Sequence, residues 1–421
     1  MSAVRVVVTG LGAVTPIGQN VSEFWSAAVA GRSGVARVTH FEVANFRSQL
    51  AGEVKDFRPE QWCDKKAADR MDRFTQFAVA AAAMAIRDAG LSAGGFDPLR
   101  TGVIIGSGIG GSQTIEDGYR LLQARGPGAL SPFFLSRLLI NMAACMVSIE
   151  HGLKGPLSAP SVACSTGANA IGDAYRTIQS GTADLMVAGS SEACVTPLAY
   201  GGFCAARAMT RNPDPAQASR PFDRRRDGFV MGEGAGVVVL ERREHALARG
   251  ARVYAELVGY GNSADAFHLT APAADGDGMA RAMRAALADA GVTPAQVSYI
   301  NAHGTSTVLN DKCESAAILS VFGEHAPRLK VSSLKSMLGH LMAAAGAVEF
   351  VATVLSVCTG IVTPTINYEE ADPDCPLDYV THGAETLAVE VAMSNSFGFG
   401  GGNACLVVRQ HRSTDGKPAE P

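Results

Sequence analysis

Four stretches of the 421-residue chain carry residue types that can do covalent or acid-base chemistry. The first is Ser161-Val162-Ala163-Cys164-Ser165-Thr166-Gly167, a run of small residues around one thiol. Beyond it Ala168, Ile171, Tyr175 and Ile178 recur at helical spacing and Gly181 supplies a stop, so a helix is predicted to about Ser180 with Cys164 at its N-terminus. Unpaired N–H groups and the positive end of the dipole there favour the thiolate, the nucleophilic form of cysteine. Taken alone, Cys164 has a more ordinary reading as a small buried residue in a tight turn. Its partners decide between the two.

The second stretch, Asn301-Ala302-His303-Gly304-Thr305-Ser306-Thr307, sets a histidine and hydroxyls that can bind a polar ligand arm at the mouth of a predicted strand. The third, Lys335-Ser336-Met337-Leu338-Gly339-His340, runs into the small residues Ala343, Ala344, Ala345 and Gly346, which let backbone approach closely. The fourth is the glycine loop Phe397 to Gly402. Each histidine alone reads as a structural residue; together with Cys164 the pair takes on a chemical meaning. A cysteine and two histidines with no carboxylate placed beside them fit acyl-thioester chemistry better than peptide hydrolysis. Thiolate attack on a thioester needs oxyanion stabilisation and yields an acyl-cysteine. If a malonyl thioester then loses CO2, two neutral imidazoles can donate to the enolate oxygen.

The elements that must position these groups alternate between strand and helix. Strands are predicted at Arg5–Thr9, Gly102–Ile105, Asp184–Gly189, Gly236–Leu240, Val253–Val258, Val297–Asn301, Leu329–Ser332, Val389–Ser394 and Ala404–Val408. Helices are predicted at Ser22–Ala30, Arg73–Ala89 and Gly278–Ala290, and a turn at Gly10-Leu11-Gly12. The four chemical stretches each follow a strand-like run, and in α/β sheets sites assemble at the carboxyl ends of strands. Gly106, Gly108 and Gly111 match the GxGxxG expression, but the acidic residue expected about twenty positions on is missing, so a dinucleotide site is not supported. Arg224-Arg225-Arg226 reads as a solvated surface, or else as a docking patch for an acidic partner.

Bulk composition narrows the class. With 47% hydrophobic and 18% charged residues the chain is a soluble globular protein with a sizeable core. A net charge of −4 excludes nucleic-acid or anionic-membrane binding through bulk charge. Nine cysteines without a CxxC pair read as reduced thiols. Neither a signal peptide nor an uninterrupted apolar run of membrane-spanning length is found, so the expected address is the cytoplasm, or an organellar matrix after removal of a presequence.

Together, Val162-Ala163-Cys164-Ser165-Thr166-Gly167, Asn301-Ala302-His303-Gly304-Thr305-Ser306-Thr307, Lys335-Ser336-Met337-Leu338-Gly339-His340 and Asn395-Ser396-Phe397-Gly398-Phe399-Gly400-Gly401 resemble the beta-ketoacyl-acyl-carrier-protein synthase II family, from about Val4 to Arg409. The resemblance implies a thiolase-like five-layer αβαβα sandwich of two related halves, at residues 1–252 and 253–412, with a disordered tail at 413–421. It implies a homodimer that elongates acyl chains by two carbons in fatty acid biosynthesis, using phosphopantetheine-borne substrates on an acidic acyl carrier protein and requiring no cofactor. Cys164 would carry the acyl chain, His303 and His340 would support decarboxylation, and Lys335 would orient the site through Glu349. The N–H groups of Cys164 and Phe399 would form the oxyanion hole, with Phe399 also gating the acyl pocket.

By the same resemblance Thr270, Thr305 and Thr307 would meet the phosphopantetheine arm. Ile109, Phe203 and Gly400 would contact substrate, and Lys65, Lys66, Arg70, Arg207 and Arg211 would face the carrier protein. Asn301, Glu349, Ser394 and Asn395 would surround a K or Na ion. Val308, Leu338 and Gly402 depart from the family's usual residues and leave substrate preference open, so a ketosynthase of a type II polyketide or other specialised pathway is the alternative. A degradative thiolase would need a second cysteine in the C-terminal glycine loop, where Cys405 instead begins a strand. A non-catalytic chain-length subunit would lack the nucleophile that this chain retains.

Overall fold

The computed structural model describes residues 4–91 and 95–411. Eleven strands form one hydrogen-bonded sheet whose order sorts them by chain position. From one edge run Asp378–Tyr379, Lys330–Ser332, Tyr299–Asn301, Val391–Phe397, Gly402–Gln410 and Ala255–Ala264, followed by Val6–Val14, Gly234–Arg242, Leu185–Glu192, Thr101–Gly106 and Leu157–Ser158. The two sets meet where Ala255–Leu257 pairs antiparallel with Val6–Val8. Outward from that junction, each set pairs first antiparallel, then antiparallel, then parallel, then parallel, and the second set adds one more parallel pairing at its edge. One topology is used twice, although no close sequence repeat discloses it.

Three apolar cores separate the layers. Helix Arg73–Asp88 covers the outer face of the first half through Phe74, Phe77, Val103, Val187 and Val237. Helix Asp277–Ala290 covers the outer face of the second through Met279, Met283, Ile300, Met393 and Val407. Helices Thr166–Gln179 and Ala345–Thr359 share a core with both halves, including Ala168, Ile171, Val348, Val351, Val238 and Leu406. The order is therefore helix, sheet, helix, sheet, helix. The segment Met342–Thr359 has the length and hydropathy of a membrane span, but 89% of it is buried as this middle layer.

Glycines let the outer helices lie flush on the sheet. Gly10 and Gly12 fall inside the strand Val6–Val14, not in the expected turn, because a Cβ there would meet the carbonyl oxygens of Ala85 and Ala81 at 2.1 and 1.9 Å. The second half repeats the device: a Cβ on Gly259 or Gly261 would stand 2.3 Å from the carbonyl oxygens of Ala286 and Ala282. The alanine-rich helix faces leave no side chain to move aside.

His411 closes the second half: it is buried, its Nδ1 lies 3.2 Å from Glu256 Oε1, and the tail at 413–421 lies outside the described residues. Of the three arginines, Arg224 and Arg225 sit on the solvated surface, as expected, and Arg226 is buried instead. Arg224 pairs with Glu370 and Arg225 with Glu369, while the buried Arg226 pairs with Asp311 and Asp372. Of these, only Arg226 has its charge paired inside the fold. Gly12→Ala is expected to destabilise the protein by about 3 kcal/mol through overpacking, read as a lower urea midpoint; an unchanged midpoint would contradict the close helix–strand approach.

Candidate active site

Cys164, His303, His340 and Phe399 line one cavity of about 340 Å³. Phe203, Phe229 and Met342 add an apolar wall, and Thr270, Thr305 and Thr307 add hydroxyls. Each polar group stands on a loop between a strand and the next element. His303 follows strand Tyr299–Asn301, Phe399 follows Val391–Phe397, and the Cys164 and His340 loops lead into the two middle-layer helices.

Cys164 lies on a short helical turn, Ala163–Ser165, one step before helix Thr166–Gln179 begins. Ala163 is held at φ 46°, a conformation costly for a residue with a Cβ. The N–H of Phe399 lies close enough to the Cys164 sulfur to favour its thiolate. Gly398 makes this approach possible, since a Cβ there would stand 3.0 Å from Val162 O and 3.1 Å from Cys164 N. The N–H of Cys164, at the start of a helical turn, has no intrahelical acceptor. The expected thiolate is not the resting form. Burial pushes the thiol up to about 11; the Phe399 N–H and Lys335 pull it down without overcoming that, and Glu192 and Glu349 add to the rise. With Cys164 only 5% exposed, the helix terminus does not compensate for lost water.

Both imidazoles are fixed in one tautomer by their Nδ1 atoms. His340 Nδ1 accepts from the N–H of Met342 at 3.1 Å, and His303 Nδ1 accepts from the Lys335 ammonium at 3.3 Å. The ring proton of each neutral histidine is therefore assigned to Nε2. Burial, then Lys335, holds both rings well below the usual histidine range, and His340 adds to the effect on His303. The rings stand 5.4 Å apart and nearly perpendicular, two uncharged N–H donors in one cavity. Lys335 also donates to the His303 carbonyl at 2.6 Å and pairs with Glu349.

Sequence reasoning missed the carboxylates that hold these loops. Glu314 accepts from the N–H groups of His303 and Gly304, both at 2.8 Å, and burial pushes it up to about 7. Glu192 does the same for the loop at 107–110: it accepts from Ser107 Oγ, Gly108 N and Ile109 N. Its carboxylate occupies the place a phosphate would need, so the GxGxxG loop cannot serve a dinucleotide. Asp265 and Asn403 pin the glycine loop, through Asp265 N to Gly401 O at 2.9 Å and Asn403 Nδ2 to Asp265 Oδ1 at 2.6 Å. The only sequence signal for these groups was an acidic or amide residue inside an otherwise apolar run.

Not every expected residue reaches the cavity. Ile109 packs instead in the apolar cluster behind it, with Phe203 and Met342. Gly400 is exposed at φ 83°, its N–H donating to Leu269 O at 2.8 Å. Arg207 lines the cavity and Arg211, further along the same loop, is exposed. Lys65, Lys66 and Arg70 are exposed on and after the short helix Lys65–Ala68, outside the cavity lining, with Arg70 over the Phe133 ring at 4.7 Å.

The donor set fits a monovalent cation in part. Among the described residues, Asn301 Oδ1, Ser394 Oγ and Glu349 Oε2 are buried without hydrogen-bond partners. Asn301 and Ser394 are register neighbours whose side chains share the face that packs on helix Ala345–Thr359, the helix of Glu349. Asn395 Oδ1 is likewise unpartnered, but its side chain alternates to the opposite face, where the amide N–H donates to Glu314.

The raised thiol sets the sign of a pH profile. Thiolate should grow about tenfold per pH unit until the pH nears the pKa. Alkylation of Cys164 by iodoacetamide, followed by peptide mass spectrometry, is expected to keep accelerating to about pH 9.5; a plateau below pH 8 would contradict the burial argument.

Comparison with known proteins agrees with this geometry. The beta-ketoacyl synthase N-terminal domain matches residues 3–246 and the C-terminal domain residues 254–369. The chain is 50% identical over 409 residues to a Synechocystis 3-oxoacyl-[acyl-carrier-protein] synthase 2, covering 97% of this chain and 98% of the relative. It is also 50% identical over 407 residues to the Staphylococcus aureus MRSA252 protein of the same name, covering 97% and 98%. Among solved structures, the ishigamide ketosynthase/chain length factor superposes with a TM-score of 0.92 at 40% identity, over 97% of this chain and 100% of that one. A beta-ketoacyl synthase from Burkholderia phymatum STM815 does so with 0.90 at 38% identity, over 97% and 100%. Their fold is thiolase-like, and by matched domains and full-length similarity this chain belongs to the beta-ketoacyl synthase family.

Proposed function

We propose that the chain is a 3-oxoacyl-acyl-carrier-protein synthase, a condensing acyltransferase that joins an acyl group held on Cys164 to malonyl-acyl carrier protein and lengthens it by two carbons in fatty acid synthesis. The observation that carries this reading is the single cavity shared by one thiol, two neutral N–H-donating imidazoles and the Phe399 N–H. In the first step the Cys164 sulfur attacks the donor thioester carbon, and the thiol proton leaves with the departing phosphopantetheine sulfur. The Cys164 and Phe399 N–H groups hold the developing oxyanion. In the second step malonyl carboxylate leaves as CO2, and the His303 and His340 Nε2–H groups donate to the enolate oxygen. Being uncharged, they stabilise the enolate without protonating it. The enolate carbon attacks the acyl-cysteine, the β-ketoacyl product departs, and the Cys164 thiolate takes up a proton.

Around this core, Thr270, Thr305 and Thr307 would receive the phosphopantetheine arm, and Phe203 and Phe399, 6.3 Å apart, would flank the acyl entrance. Arg207 and Arg211, with Lys65, Lys66 and Arg70, supply the positive charge that an acidic carrier protein would meet. One solved relative, 38% identical, is a type II polyketide ketosynthase in complex with its acyl-carrier protein. The outer edge strand Leu157–Ser158 and the exposed Leu135, Leu139 and Ile149 support a homodimer, since an open apolar edge is usually covered. Asn301, Ser394 and Glu349 would hold K or Na, whose charge would satisfy their buried oxygens. The proposed location is the cytoplasm.

A specialised pathway is the second reading, favoured by Val308, which departs from the family's usual residue at an exposed position on the cavity lining, 53% exposed. Incubation with acyl and malonyl carrier proteins tests both. CO2 and β-ketoacyl product are expected from ordinary saturated donors, whereas turnover with polyketide starters alone would favour the second. Cys164→Ala should abolish acyl transfer. His303→Ala or His340→Ala should leave Cys164 acylation measurable but lower condensation by at least about a hundredfold. If Cys164→Ala condenses as fast as the parent, the assignment is wrong. Sedimentation should give a two-chain mass, and KCl should raise the melting temperature above that in choline chloride; a monomer or an unchanged melt would remove the corresponding part of the reading.

A further inference from the structure

Glu192 is a fully buried carboxylate that the mechanism above does not use. It ends strand Leu185–Glu192 and directs both oxygens at the loop after strand Thr101–Gly106. Oε1 accepts from Ser107 Oγ at 2.9 Å and Ile109 N at 3.3 Å, and Oε2 accepts from Gly108 N at 2.8 Å. Ser107 Oγ in turn accepts from Gly110 N at 3.1 Å, so one carboxylate organises the whole loop. Gly108 has no room for a side chain, since a Cβ would lie 2.8 Å from Glu192 Oε2. Burial pushes Glu192 up to about 7, held there against a higher value by these donors.

The loop it holds carries Ile109 into an apolar cluster with Cys194, Tyr200, Phe203 and Met342. Phe203 and Met342 also wall the cavity that contains Cys164. Phe203 and Met342 belong to both, so an acyl chain on Cys164 too long for the cavity would extend through them toward Ile109. Resting on the condensing function argued above, we propose that Glu192 is a positioning residue for acyl-chain length: by holding the Gly108 and Ile109 N–H groups it sets where the Ile109 wall stands. It touches no reacting atom. Its loss would leave buried N–H groups without acceptors and let the wall shift, an effect only long chains would feel.

The test compares acylation of Cys164 by acetyl and dodecanoyl carrier proteins, read as kcat/KM by intact mass, in the full-length parent, Glu192→Ala, Glu192→Gln and Gly108→Ala. Gly108→Ala presses on the same contact from the opposite side. The dodecanoyl-to-acetyl ratio is expected to fall about tenfold in Glu192→Ala and Gly108→Ala, with Glu192→Gln between them and the parent because it keeps one acceptor oxygen. A ratio within twofold of the parent in the folded variants, or an equal loss for both donors, overturns the proposal. If Glu192→Ala does not fold, the other two variants decide it. A parent that loads neither donor would overturn the condensing function itself.

Discussion

A lysine ammonium sealed from water governs the chemistry of this site. Lys335, 1% exposed, is held by the Glu349 carboxylate, the His303 carbonyl and His303 Nδ1. Removing one partner of such a buried pair typically costs about 3–5 kcal/mol. The positive charge occupies His303 Nδ1, repels a proton from both imidazoles and lowers the thiol's pKa, all from one buried point. The two rings therefore face the cavity as neutral donors, the form that suits an enolate oxygen.

The doubled topology explains why the reacting groups meet. The Cys164 loop enters one middle-layer helix and the His340 loop enters the other, at equivalent places in the two halves. The loop at 107–110 and the loop at 302–305 follow equivalent strands, Thr101–Gly106 and Tyr299–Asn301, and each is held by a buried glutamate through backbone N–H groups. One half carries Ile109 in that loop where the other carries an imidazole. Asymmetric chemistry has been built on a symmetric frame.

Burial decides two outcomes that local chemistry alone would have turned the other way. A helix terminus favours a thiolate, yet the Cys164 sulfur is out of water and its pKa rises to about 11. A glycine-rich loop favours an anion, yet Glu192 already supplies one from within the protein. In both cases the competing term comes from residues distant in the chain.

Period and punctuation made the alternating strands and helices legible: Gly291 stops helix Asp277–Ala290 at φ 60°, and the β-branched runs sit where strands form. Residue types in Cys164, His303, Lys335 and His340 were enough to name a chemistry, because thiol, imidazole and ammonium have intrinsic reactivity wherever they stand. What required the folded chain was every relation between distant groups. Gly10 and Gly12 looked like a turn because nothing local reveals a helix 1.9 Å from a would-be Cβ. Asn395 looked like a partner of Ser394 because adjacency in the chain hides that a strand sends neighbours to opposite faces. Tautomers, burial and the Glu192 and Glu314 clamps arise only when segments up to 85 residues apart are brought into hydrogen-bonding distance, and no local pattern encodes that distance.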